Sequence, residues 1–251
     1  MSSKKKNLAR FGMAAKGTVY SLIGVLTALA AFGKGGQTTG SKGALQYVAS
    51  LSYGKIMLVI LGIGLLGYVF WRMYQSFANP KNLSDDFKGY AKRVAYFISG
   101  MVYGFLAIYA FKIAIGKAGG SDSSGFMSGS DTIAIIVGFG IAIKAIYDFY
   151  RAHSGKFREE VEEMEMSRDE QKVLINAGMF GHTARGLVLG LMAFLTLKSG
   201  FGSGSINTQT DAFSYIQNEY GSIVLGVIAI GLVAYGVYMF IQAKYPSISV
   251  S

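Results

Sequence analysis

The chain has 251 residues, 51% of them apolar and only 15% charged, with 24 Lys and Arg against 14 Asp and Glu and a net charge of +10. The low charged fraction and the mean hydropathy of +0.38 exclude an ordinary soluble domain, and the absence of cysteine excludes disulfide frameworks, thiolate metal sites and cysteine nucleophiles. A pI near 9.6 would suit nucleic acid if the basic residues formed one patch, but they cluster at the ends of apolar runs, so no nucleic-acid partner is expected.

The first apolar run, 13–32, follows Lys4, Lys5, Lys6 and Arg10 and carries Ala28-Leu29-Ala30, the pattern of a cleavable secretory signal. The same segment recurs twice further on, which a signal has no reason to do, so it is read as a permanent span. Similar runs follow at 56–77, 94–115, 132–150, 173–198 and 222–243. Each is near the roughly 20 residues that cross a hydrocarbon core of about 30 Å. The expected fold is therefore an all-α integral membrane protein with six transmembrane helices. Thirty-four glycines and two prolines suit helices that approach through small residues, with Gly100 and Gly104, Gly186 and Gly190, and the series Gly226, Gly231 and Gly236 as candidate seams.

Between the spans, "KGGQTTGSKG" and "KSGFGSGSINTQT" are polar glycine-rich links, each followed by a short helical stretch, "ALQYVASL" or "DAFSYIQNEY", whose aromatics suit an interface. The segment 35–42 reads Gly-Ser-Lys where a phosphate-binding loop needs Gly-Lys-Ser/Thr, and it is read as a linker. The loop 151–172 is strongly charged, with five glutamates between 159 and 165 that read as a solvated face or as a docking site for a protein partner. Ser167 and Glu170 form a capping box, so a helix should start there and run into the fifth span.

The stretches "RFGMAAKGTVYSLIG", "RVAYFISGMVYGFLA" and "MFGHTARGLVLGLMA" align, bringing Gly17, Gly100 and Gly186 into register along with the helix-ending Gly33, Gly116 and Gly202. The second helices align as "GIGLLGYVFWRMYQ", "GFGIAIKAIYDFYR" and "AIGLVAYGVYMFIQ". Three hairpin repeats are expected, at 1–84, 85–167 and 168–251, parallel to one another and related by a pseudo-threefold axis. Lys and Arg are concentrated on the side of both termini, which the positive-inside rule assigns to the cytoplasm.

Arg10, Lys16, Gly17, Val19 and Tyr20, followed by Gly54, Gly67, Tyr68, Trp71 and Arg72, resemble the bacterial membrane family catalogued as a domain of unknown function, number 1206. The resemblance covers nearly the whole chain and is best in the first copy. The second copy has Ser99 where a basic residue is expected. The resemblance implies fold and bacterial inner-membrane location, and no activity.

Lys144 lies about 20 Å along its helix from Asp131, short of the inner edge of the hydrocarbon, with Asp148 one turn beyond it. One reading is a snorkelling lysine partly neutralised by that aspartate. The other takes in Lys16, Ser99 and Arg185, which occupy equivalent positions with His182 on the same face as Arg185. If these faces turn to the axis, Lys16, Ser99, Lys144, Asp148, His182 and Arg185 form a ligand site for a small anion or a lipid headgroup. If they turn outward, they are interfacial anchors, and His182 is an ordinary interfacial histidine.

Nothing at metal-ligand or nucleophile spacing supports an enzyme, a metal or a cofactor. The expected function is non-enzymatic binding, with conduction ranked below it. The rival is an accessory or scaffolding protein acting through the loop 151–172. A homo-oligomer is compatible with either.

Overall fold

The computed structural model describes residues 3–80, 83–117, 131–200 and 206–247. Gly202 and Lys81 lie outside the described residues. In chain order the elements are α1 (Ser3–Ala31), α2 (Ser41–Ala49), α3 (Gly54–Phe77), α4 (Phe87–Ala114), α5 (Asp131–Ser154), two 3₁₀ turns (Lys156–Glu160 and Glu163–Glu165), α6 (Arg168–Gly200) and α7 (Gln209–Lys244). Six of these helices are long and apolar enough to cross a membrane: α1, α3, α4, α5, α6 and α7. Large apolar side chains face outward along them, among them Ile56, Phe105, Ile143 and Ile223, as a lipid-facing surface requires.

Local chemistry sets the helix ends. Gly33 and Gly116 stop α1 and α4 with φ of +65° and +72°, and the following amides of Lys34 and Lys117 bond back to Leu29 and Lys112 at 2.9 Å, closing the last turn as a glycine C-terminus does. Asp86 caps α4 by accepting from the Gly89 amide at 2.7 Å. Ser167 and Glu170 form the expected capping box at 2.9 and 3.3 Å, and α6 runs unbroken from there into its span. A second box, Thr208 with Asp211, starts α7, which kinks at Gly221 where φ is +80°. The stretch before the kink is the short helix expected at "DAFSYIQNEY"; its Phe213 is fully buried instead of interfacial.

The helices pack as an arc in the order α4, α3, α1, α7, α6, α5. Glycines make the close approaches. A Cβ on Gly24 would lie 2.6 Å from the Ala229 carbonyl, and one on Gly236 2.9 Å from the Gly17 carbonyl, so α1 and α7 touch through backbone. Gly12 lies against the Tyr68 backbone and Gly181 against the Tyr235 backbone, while Gly64 meets Ala15 and Gly231 meets Ala184. These are the same aligned positions in the first and third hairpins. Of the expected seams, Gly104 and Gly190 touch only single atoms of Val69 and Ala145, at 3.9 Å.

The second hairpin differs. Among the described residues α4 and α5 do not pack closely against each other, so the expected set of three alike hairpins is broken there. The reason is visible in the sequence. Ala95 stands where the other copies have Gly12 and Gly181, Ile98 replaces Ala15 and Ala184, and Ile143 replaces Gly67, so the small residues that allow close backbone approach in the other hairpins are missing, and Ile98 and Ile143 are exposed. Gly140, aligned with Gly64 and Gly231, has nothing within 4 Å of its Cβ position.

Candidate functional site

Five of the six expected site residues converge inside the arc. Lys16 on α1 is 3% exposed, and its Nζ donates to the Tyr68 hydroxyl at 3.1 Å. Four tyrosine rings enclose the ammonium, Tyr68 at 4.8 Å, Tyr103 at 5.1 Å, Tyr235 at 5.5 Å and Tyr20 at 5.9 Å, each within cation–π range. They come from α3, α4, α7 and α1, and Tyr68 and Tyr235 sit at positions aligned with Lys144. The faces therefore turn inward, and these side chains are not interfacial anchors.

Asp148 on α5 is fully buried and is the hub of the other half. Arg185 on α6 donates to it at 2.9 Å, Lys144 pairs with it one turn away on α5, and His182 Nδ1 lies 3.7 Å from it, too far for a hydrogen bond. The snorkelling pair is thus only part of the arrangement, since Arg185 shares the carboxylate. Arg185 also donates to the Tyr20 hydroxyl at 3.0 Å and lies over Tyr20 and Tyr235 at 5.6 and 5.0 Å. Lys16 and Arg185 therefore flank the same two rings.

His182 is not an interfacial histidine. It is 0% exposed, well inside α6, and neither ring nitrogen has a hydrogen-bond partner among the described residues. Phe157 from the first 3₁₀ turn stacks on it at 5.9 Å, and Tyr235 and Tyr238 meet it edge-on. Ser99 does not join the cluster: it is half-buried on α4 and makes no hydrogen bond among the described residues.

Sequence reasoning missed two further groups. Arg72 donates to the Tyr68 hydroxyl at 2.7 Å and to Gln75 at 2.8 Å, so Tyr68 joins Arg72 to Lys16. Arg151 pairs with Glu160 at 3.1 Å, and Gln242 donates to the same carboxylate at 2.8 Å. Gln75, Arg151 and Gln242 are aligned positions, and that was the available signal. A cavity of about 10 Å³, lined by Arg72, Gln75, Glu160 and Gln242 among others, has room for roughly one water; the buried Gln242 Oε1 lacks a partner, which suits one.

With this geometry in view, the model of the family described as Domain of Unknown Function (DUF1206) matches residues 11–79 and 180–246. The chain belongs to this family. It is also similar to "Uncharacterized protein YxxB" of Bacillus subtilis (strain 168), 27% identical over 250 residues that cover 96% of this chain and 90% of that protein. No solved structure matches. The two DUF1206 regions fall within the first and third hairpins, whose close glycine contacts are alike. The open α4 and α5 pair falls outside both.

The end of this DUF1206 bundle where α1 begins and α7 ends is covered by the segment after α5. Phe157 and Val161 are buried, and Val161 bridges to Pro246. The Glu162 amide donates to the Tyr245 carbonyl at 2.9 Å. The acidic loop is thus folded onto the helices instead of standing free in solvent. Within it Arg158 forks onto Glu163 at 2.6 and 2.5 Å, a bidentate pair that holds the Glu163 carboxyl below the ordinary carboxylate range. A carboxyl lowered in the folded state contributes stability above its unfolded pKa and loses it as the pH falls through the folded value. Amide exchange across residues 156–166, corrected for intrinsic rates, should therefore accelerate on going from about pH 6 to about pH 3. Glu163→Gln should show the faster exchange already at neutral pH.

Proposed function

We propose that this protein is a bacterial inner-membrane protein, with both termini in the cytoplasm, that binds an anionic group at the buried cluster and acts by binding instead of catalysis. One observation carries the reading: five cations, Lys16, Arg72, Lys144, Arg151 and Arg185, are gathered with two carboxylates, Asp148 and Glu160. A formal excess of three positive charges inside a helix bundle is costly, and an anion supplies a counter-charge. Lys144 and Arg185 have side chains 39% and 12% exposed, and Arg72 is also only half-buried. The distribution of Lys and Arg supports the sidedness. Binding is favoured over conduction because the cavity at the terminal end accommodates only about one water.

Thermal unfolding of detergent-purified protein in sodium chloride against sodium gluconate, at equal ionic strength, tests this. The wild type should melt several degrees higher in chloride. Lys16→Met removes a cation that has no carboxylate partner among the described residues, so the variant should be at least as stable as wild type in gluconate and lose most of the chloride-dependent rise. Identical melting of the wild type in both salts, or an undiminished rise in the variant, overturns the reading.

A further inference from the structure

We propose that the gap between α4 and α5 is a lateral slot, open to the bilayer, that seats an acyl chain of an anionic phospholipid with its phosphate on Lys144. The inference rests on the anion-binding reading and names the ligand class for that site.

The slot is written into the sequence. Three positions that allow close packing in the other hairpins are bulkier here, at Ala95, Ile98 and Ile143, yet Gly140 is kept. In the other two copies the matching glycine is filled by Ala15 or Ala184, whereas Gly140 faces open space. Going along α5 from Gly140, residues one turn apart share a face. Ile136 lies one turn above Gly140, and Lys144 and Tyr147 lie one turn and about two turns below it. Ile136 is 65% exposed and Tyr147 is 42% exposed. The stripe is thus apolar at one end and becomes cationic toward the end where α1 begins and α7 ends.

Charge selects the occupant. Asp148 is fully enclosed, but the side chain of Lys144 is 39% exposed, its ammonium 5.4 Å from the Tyr147 ring on the same stripe. Behind it stand Arg185 and, beyond the tyrosines, Lys16. A neutral lipid or the face of a second copy would leave that excess charge uncompensated. An acidic headgroup compensates it, while its acyl chain covers the apolar stripe. Lys144 lies roughly 10 Å along the helix from Arg151; a lysine stem can extend toward the headgroup layer, so the ammonium can meet a phosphate drawn slightly inward.

Native mass spectrometry of protein equilibrated in mixed micelles with equal phosphatidylglycerol and phosphatidylcholine tests the slot. The wild type should retain phosphatidylglycerol in preference. Lys144→Met should reduce that preference by about fivefold, the worth of one lysine's attraction for an acidic lipid. Gly140→Phe, which fills the gap without removing a cation, should reduce it as much while leaving the chloride-dependent rise in melting temperature intact. An unchanged preference in Gly140→Phe overturns the slot, as does a dimer that Gly140→Phe abolishes. A wild-type chloride rise with no lipid preference refutes the slot alone; absence of both refutes the anion site with it.

Discussion

Asp148→Leu should destabilise the protein by about 3–5 kcal/mol, the range for removing one partner of a buried ion pair, and is expected to have the largest effect of any single substitution in the cluster. The carboxylate is fully enclosed and is shared by Arg185 and Lys144. Without it these two cations, with Lys16 and Arg72 nearby, are left facing one another in a low-dielectric interior. The asymmetry between partners makes the prediction specific. Lys144→Met should cost little, because its side chain is 39% exposed and Arg185 still satisfies the carboxylate. The double substitution Asp148→Leu with Arg185→Leu should recover a substantial part of the loss, since both buried charges leave together. Equilibrium unfolding in mixed micelles reads all three; a cost for Asp148→Leu no greater than that for Lys144→Met would show that the carboxylate is not the hub.

Gly12→Val and Gly181→Val should each cost about 3 kcal/mol or more, at the upper end of overpacking penalties. At both sites the added Cβ meets backbone, that of Tyr68 or Tyr235, and backbone cannot rotate away as a side chain can. These two tyrosines also carry the cage around Lys16, so displacing the helices should disorder the cluster as well. Gly140→Val is the internal comparison. It occupies the aligned partner of Gly64 and Gly231 but meets nothing, and its cost should stay within about 0.5 kcal/mol. Parallel chemical unfolding of the three variants measures the difference. Equal losses at Gly140 and Gly12 would mean that α4 and α5 close on each other in the membrane.

Much of the architecture could be read from the sequence because it depends on local signals. Apolar run length located all six long helices, and Gly33, Gly116 and the box of Ser167 with Glu170 set their ends. The inward orientation of Lys16, Lys144, Asp148, His182 and Arg185 was one of two open readings, because helical periodicity places residues on one face without saying what that face meets. Packing settles it: Gly17 and Gly236 bring α1 and α7 into backbone contact, which turns Lys16 toward the tyrosines. His182 had two readings, cluster member or interfacial histidine, and its burial under Phe157 is what separates them. The position of Phe157 could not be foreseen, since a single aromatic in a charged loop gives no periodic signal. Ser99 rests on alignment alone, and α4, which carries it, does not pack closely against α5 among the described residues.

The pairing of the first helix with the last has a temporal side. Arg10 donates to the final carbonyls of α7 at 2.8 and 2.6 Å, across 233 residues of chain, and α1 packs on α7 along glycines from Gly17 to Gly24. A ribosome adding about 5–20 residues per second leaves α1 waiting roughly 12–47 s for that partner. Throughout that interval the Lys16 cage lacks Tyr235, and the glycine face of α1 is covered by lipid or by the insertion machinery. The nascent chain is therefore open to quality-control proteases until α7 is inserted, and a stop codon ahead of α7 should yield a product that is degraded, not a smaller working protein.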